Sequence, residues 1–138
     1  MYRKAVLGMI VATGLVTLAS LFILRSHFPR QELRACFNDA RGLRPGASIR
    51  ISGVEVGVVR VVRANPENKN CPAEVVMDLS TPYELKIPRD SIAEIQTGGL
   101  LGPSLVAIDV TQATREPIDN GGYLMSKQSS QGSSSSAP

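Results

Sequence analysis

Residues 48–63 read SIRISGVEVGVVRVVR, and this stretch decides the fold class of the domain around it. At its start, isoleucines alternate with Arg50, which is the period-two pattern of a half-buried strand. Gly53 and Gly57 are expected to break the chain here, and Val58–Arg63 is rich in the β-branched residues that favour strands. The stretch therefore predicts short strands joined by glycine-marked turns.

Further stretches of this kind lie on both sides, separated by polar loops that contain glycine, proline and asparagine. They are Glu32–Phe37, Glu74–Leu79, Ser91–Thr97, Ser104–Val110 and a last short one at Gly122–Met125. About seven short strands without a convincing helix among them predict a closed or nearly closed β-barrel. The fold class is thus mainly β, with one small barrel domain over residues 31–125. The Ser-rich end, residues 126–138, has the composition of a disordered tail.

An uncharged apolar run, Ala5–Leu24, precedes the barrel region. A helix of this length, at about 1.5 Å rise per residue, spans a hydrocarbon core of about 30 Å. A cleaved signal peptide is the alternative, but the run exceeds the apolar region of about 7–15 residues that is usual in such peptides. We therefore expect an N-terminal anchor over residues 1–30 with a transmembrane helix at 5–24. Basic residues flank the run on both sides, so charge alone does not orient it.

The chain has two cysteines, Cys36 and Cys71, and both fall in the barrel region. An even pair in a small domain beside an export signal fits a disulfide in an oxidising compartment. Such a bond adds about 3–4 kcal/mol in the chain-entropy model. Two unrelated thiols are the alternative. A metal site is not expected, because neither a CxxC spacing nor a histidine partner accompanies them.

The formal net charge of +3 belongs to the flanks of the anchor. Residues 1–30 carry four basic side chains and no acidic one, whereas residues 31–138 carry eleven basic and twelve acidic side chains. The barrel region is therefore close to neutral. Binding to a nucleic-acid backbone is not expected, because it requires a basic surface.

The residue inventory argues against an enzyme. The one histidine, His27, lies beside the anchor, where we expect it at the membrane interface. Ser52 lacks a GxSxG frame and a histidine in the domain to activate it. Asp39, Asp90 and Asp109 are interpreted as turn and cap carboxylates. No catalytic residue, no metal ligand and no cofactor is expected.

One predicted loop, TGGLLGP at Thr97–Pro103, departs from the polar composition of tight turns. Gly99 and Gly102 frame two adjacent leucines, Leu100 and Leu101. The leucines either tuck back under the barrel or point outward to meet other apolar groups. In a ring of subunits, outward leucines would converge on the axis and form a narrow apolar constriction suited to acyl chains.

Several motifs in order resemble the MCE (mammalian cell entry) domain. They are FNDARGLRPGA at 37–47, ISGVEVGVV at 51–59, IPRDS at 87–91 and GGLLG at 98–102. The resemblance covers about Glu32 to Val110 and extends toward Tyr123. An N-terminal anchor followed at once by a single such domain is similar to the MlaD type.

The resemblance implies a seven-stranded β-barrel that assembles into homohexameric rings. It implies a bacterial inner-membrane protein with a cytoplasmic N terminus and the barrel in the periplasm. The ring would carry phospholipids or other hydrophobic molecules between the inner and outer membranes, together with an ABC permease and its ATPase. The lipid pore loop of the family falls on Gly99, Leu100, Leu101 and Gly102.

MlaD-type proteins usually continue into a helix that lengthens the channel, whereas here a Ser-rich tail follows Met125. We therefore expect any longer tunnel to come from partners. The alternative function is a non-transporting, membrane-tethered β-barrel adaptor or binding module of an efflux, secretion or surface-interaction system. Such adaptors usually carry a coiled-coil hairpin, and the sequence contains no heptad run.

Overall fold

The computed structural model describes residues 1–24 and 28–127. Arg25, Ser26, His27 and residues 128–138 lie outside it, and with them the expected interface position of His27 and most of the predicted tail. Within the described residues the architecture is one apolar helix followed by a closed barrel of seven strands. The prediction of a mainly β fold with a single N-terminal helix is confirmed.

Helix α1 comprises Tyr2–Leu24, and none of its 23 residues is buried. By length and composition it can cross a membrane. The hydroxyl groups of Thr13 and Thr17 donate hydrogen bonds to the carbonyl oxygens of Met9 and Thr13 at 2.6 and 3.0 Å. These two hydroxyl groups are therefore satisfied within the helix, which an apolar surrounding requires. It begins three residues before the predicted run, because backbone hydrogen bonding continues through the polar flank.

The strands are β1 Arg30–Phe37, β2 Ser48–Ile51, β3 Val54–Ala64, β4 Ala73–Ser80, β5 Ile92–Thr97, β6 Ser104–Asp109 and β7 Tyr123–Lys127. They close in the order β1-β4-β3-β2-β6-β5-β7, and β7 pairs with β1 to complete the circle. Alternate residues of each strand point inward, so Leu33, Ala35 and Phe37 of β1 are buried. They join a single core that includes Ile49, Met77, Val106 and Leu124.

The predicted break at Gly57 is wrong, because Val54–Ala64 is one continuous strand. A Cβ atom placed on Gly57 would overlap the carbonyl oxygen of Asp78 and come within 2.8 Å of Leu79 Cα. The glycine thus permits the close approach of β4 to β3. The break at Gly53 is confirmed: Ser52 and Gly53 form a two-residue turn with φ values of 50° and 81°, as primed hairpin turns require.

The end of the barrel also lies further along the chain than predicted. Ser126 and Lys127 belong to β7, where they pair with Ala93 and Glu94 of β5. These two residues were expected in the tail because their composition is polar. Strand pairing decides the boundary instead, since an outer strand face tolerates polar side chains.

The two ends of the barrel differ in their distance along the chain from helix α1. Strand β1 begins at Arg30, six residues after the end of α1, and this end is called the anchor end. Strand β7 is parallel to β1, and β5 is parallel to β7. All three strands therefore run in the same direction, and β5, like β1, ends at the far side of the barrel. The far side, called the leucine end, carries the loops 38–47, 65–72 and 98–103. The eight residues of β1 place about 26 Å between the two ends.

Candidate functional site

The candidate site is the loop of residues 98–103, called the leucine loop, which joins β5 to β6 at the leucine end. Thr97 and Ser104 are the last register pair of the two strands. Above that pair, the amide of Gly98 donates to the carbonyl oxygen of Pro103 at 3.1 Å. The amide of Gly99 donates to the carbonyl oxygen of Thr97 at 2.8 Å. These bonds close the loop into a narrow neck.

Two glycines make this neck possible. Gly99 has φ +80°, a left-handed conformation that a side chain would strain. At Gly102 the obstacle is steric, because a Cβ atom there would overlap the carbonyl group of Gly98 and lie 2.8 Å from its Cα. The backbones of residues 98 and 102 are therefore in direct contact, and only the leucines between them carry side chains away from the neck.

The leucine side chains point outward, which decides between the two alternatives for this loop. Leu100 and Leu101 are 102% and 100% exposed, so they contact almost nothing in the protomer. Burying a leucine stabilises it by about 1.5–3 kcal/mol relative to water. A folded domain that leaves two such side chains adjacent and uncovered presents a binding surface for apolar groups. Their role in a lipid pore stays a prediction at this point.

The β1–β2 loop, residues 38–47, supports the base of the leucine loop. The Oγ of Ser104 donates to the carbonyl oxygen of Arg41 at 2.8 Å. Arg41 has φ +46° and donates its amide to Asp39 Oδ1 at 2.9 Å, which holds this unusual conformation. Leu43 of the same loop is buried in the core. The β1–β2 loop is therefore fixed to the barrel, and the leucine loop is fixed to it.

The structure brings Cys36 and Cys71 together in a disulfide, with their Cα atoms 5.0 Å apart. Cys36 is near the end of β1, and Cys71 closes the loop 65–72, so the bond lies at the leucine end. The amide of Asn65 also donates to the carbonyl oxygen of Pro72 at 2.7 Å. The bond thus joins two segments that meet at the same end as the leucine loop.

A charged network on the outer face of the barrel was not predicted from the sequence. Glu32 accepts from Arg34 at 3.0 Å and from Arg60 at 2.5 Å, and Tyr123 donates its hydroxyl to Glu74 at 2.7 Å. The hydrogen bond from Arg34 is the largest cause of a lowered pKa at Glu32. Apart from Glu32 and Arg34, the paired residues lie 28 or more positions apart in the sequence, so only the folded barrel brings them together.

The interpretation of Asp90 and Asp109 as turn carboxylates is confirmed. Asp90 accepts the amides of Thr114 and Arg115 at 2.9 and 3.0 Å, and these bonds lower its pKa. Asp109 accepts the hydroxyl and amide of Thr111, which lower its pKa as well. Each carboxylate thus completes the hydrogen bonding of a turn. Among the described residues, no group of three or more His, Cys, Asp or Glu side chains is placed to hold a metal ion.

Comparison with known proteins identifies relatives of the domain that carries this loop. The sequence profile described as "MlaD protein" matches residues 29–111. The chloroplastic protein TRIGALACTOSYLDIACYLGLYCEROL 2 of Arabidopsis thaliana is 30% identical in an alignment of 116 positions that covers 80% of this chain. The match spans 29% of that relative's length.

A solved structure shares the fold. It is a chain of the Acinetobacter MlaFEDB complex in its ATP-bound Vtrans1 conformation, with a TM-score of 0.62 and 18% identity. The likeness covers 87% of this chain and 92% of the other. At this identity the likeness bears on the fold, which agrees with the helix and barrel described above.

Proposed function

This chain belongs to the MlaD family of MCE-domain proteins, and from that premise we propose that it is a membrane-anchored ring subunit of an ABC transport system. The system moves phospholipids or other hydrophobic molecules between an inner and an outer membrane. The observation that carries the proposal is the outward projection of Leu100 and Leu101 from a rigid glycine neck.

The leucine loop has the properties that a subunit of an apolar pore requires. It places two exposed leucines at the tip and no charged group within residues 98–103. In a homohexamer, each copy contributes the same two side chains to one axis. The ring of leucines excludes ions, because an ion loses its hydration there without compensation, and it accepts acyl chains.

Helix α1 and the disulfide support an inner-membrane location with the barrel in the periplasm. The helix is long and apolar enough to span the inner membrane as a single pass. A disulfide between Cys36 and Cys71 persists in an oxidising compartment such as the periplasm. The barrel on that side requires a cytoplasmic N terminus. The leucine loop then faces away from the anchor end, about 26 Å along β1.

The solved relative supports the proposed partners. That chain is part of a complex described as ATP-bound. By extension, this chain works with an ABC permease, which the anchor helices contact, and with a cytoplasmic ATPase. The ring itself supplies the passage and carries out no chemistry.

A photoreactive residue at position 101 tests the proposal. The full-length variant is expressed in its native membrane, irradiated and purified in detergent, and the attached molecules are identified by mass spectrometry. We expect a lipid on position 101. The matched control is the same residue at Val58, which is exposed on β3 between the two ends of the barrel and therefore away from the membrane-proximal anchor end. Equal lipid capture at both positions, or none at position 101, would contradict the proposal.

A further inference from the structure

A groove of about 470 Å³ lies beside the leucine loop at the leucine end. The β1–β2 loop contributes Gly42, Arg44 and Gly46 to one side, and the leucine loop contributes Gly102 and Pro103 to the other. Space above Gly42 and Gly46 is open, because a Cβ atom at either position would meet nothing within 4 Å. Glycines thus leave part of the groove wall without side chains, and the groove has room for a small polar group.

Arg44 is the charged residue that lines this groove. Its neighbour Leu43 is buried, and the amide of Ala47 donates to the carbonyl oxygen of Arg44 at 3.1 Å. The backbone is thus fixed while the side chain is exposed. Within residues 1–24 and 28–127, the guanidinium group of Arg44 makes neither a hydrogen bond nor an ion pair, unlike Arg34 and Arg60 on the outer face.

No acidic residue among those described lines the groove beside Arg44. The acidic residue of the same loop, Asp39, uses Oδ1 to accept the amide of Arg41. Residues 98–103 on the other side of the groove carry no acid. An exposed guanidinium with open space beside it binds a phosphate group well, because its planar donors match two phosphate oxygens at once.

We propose that Arg44 binds the phosphate of a lipid headgroup while Leu100 and Leu101 contact its acyl chains. The inference rests on the proposed function and adds a headgroup-selecting residue to it. One ligand satisfies both features, since a phospholipid carries a phosphate next to its apolar chains. A free phosphate ion would use Arg44 alone and would leave the leucines exposed. The hydrogen bond from Ser104 to Arg41 keeps the two loops side by side.

The test compares two lipids with identical acyl chains in the same micelles. One is phosphatidylglycerol, and the other is monoglucosyldiacylglycerol, whose headgroup lacks a phosphate. Full-length protein with the photoreactive residue at Leu101 is irradiated with an equal mixture. We expect phosphatidylglycerol to be captured about tenfold more, the scale of one charge-assisted hydrogen-bonded contact. Arg44→Gln should bring the ratio to about one without loss of glycolipid capture.

Arg115→Gln is the matched control, because Arg115 lies at the anchor end and holds Asp90 through its backbone amide. It should keep the wild-type ratio. Equal capture of the two lipids by the wild type, or an unchanged ratio in Arg44→Gln, overturns the headgroup inference and leaves the pore function standing. Loss of the preference in about 0.1 mM inorganic phosphate also overturns it, because a lipid held by the leucines presents its phosphate to Arg44 at a higher effective concentration than the free ion has. Capture of neither lipid contradicts the pore function itself.

Discussion

The Oγ of Ser104 donates a hydrogen bond of 2.8 Å to the carbonyl oxygen of Arg41, and this contact joins the leucine loop to the β1–β2 loop. Ser104→Ala removes it and leaves a half-buried carbonyl without that donor. We expect a loss of about 0.5–1.5 kcal/mol in the free energy of unfolding. Urea denaturation measures it. Ser80→Ala is the control, because Ser80 is exposed and should change stability little, and an equal loss in both variants would contradict a role for the contact.

Gly102 and Gly98 face each other across the neck of the leucine loop and should respond differently to alanine. Gly102→Ala places a methyl group against the Gly98 carbonyl, so we expect a loss of about 1–3 kcal/mol or a rearranged loop. At Gly98 the nearest atom to a Cβ, Pro103 O, is 3.4 Å away, and Gly98→Ala should be close to neutral. Thermal unfolding of the two variants checks this order. Equal melting temperatures would show that the neck opens at little cost.

The disulfide between Cys36 and Cys71 should contribute to stability by an amount that depends on the length of the loop it closes. The two residues are 35 positions apart, which corresponds to about 3–4 kcal/mol in the chain-entropy model. We expect reductant to lower the denaturation midpoint of the wild type and not that of the Cys36→Ser/Cys71→Ser double variant. A wild type insensitive to reductant, with both thiols titrated as free, would contradict the bond.

The contribution of Glu32 to the stability of the fold should depend on pH, and the direction of that dependence can be derived. Its pKa lies below the ordinary value of 4.5, chiefly because Arg34 donates to it. A group with a lowered folded pKa stabilises the fold above its unfolded pKa, and the contribution disappears as the pH falls through the folded pKa. Glu32→Gln should therefore reduce stability at pH 7 and have little effect at about pH 3.

Glu55→Gln serves as the control for this profile. Glu55 is exposed and forms no ion pair among the described residues, so its replacement should have little effect at either pH. Denaturation midpoints of the three proteins at the two pH values make the comparison. The account of the network fails if Glu32→Gln destabilises equally at both.

Alternation of apolar and polar residues was sufficient to predict most of the barrel. Leu33 and Ala35 point inward because side chains change face at every residue, and the sequence records that pattern directly. The prediction at Gly57 is wrong because a single sequence does not distinguish a glycine that breaks a strand from one that lets two strands approach each other closely. The deciding atom, the carbonyl oxygen of Asp78, belongs to another strand.

The leucine loop was found from its composition, but its geometry was not. Two leucines between glycines are unusual in a turn, whereas their direction depends on the contact between Gly98 and Gly102. The support from Arg41 comes from a residue 63 positions away. The charge pairs around Glu32 are equally non-local. Contacts that form only when the barrel closes could therefore not be predicted from residue patterns and spacings in the sequence.

We propose that the leucine loop lines a pore for lipids, and lipid transfer by the assembled complex is the most direct test of this role. The complex is purified from its native membrane through this chain and reconstituted, and transfer of a labelled phospholipid is followed. The Leu100→Asn/Leu101→Asn variant keeps the branched shape and the number of heavy atoms of the side chains and makes them polar. We expect a ring of unchanged mass by light scattering and at least tenfold less transfer, whereas Tyr83→Asn should transfer normally. Normal transfer by the double leucine variant in an intact ring would contradict the account.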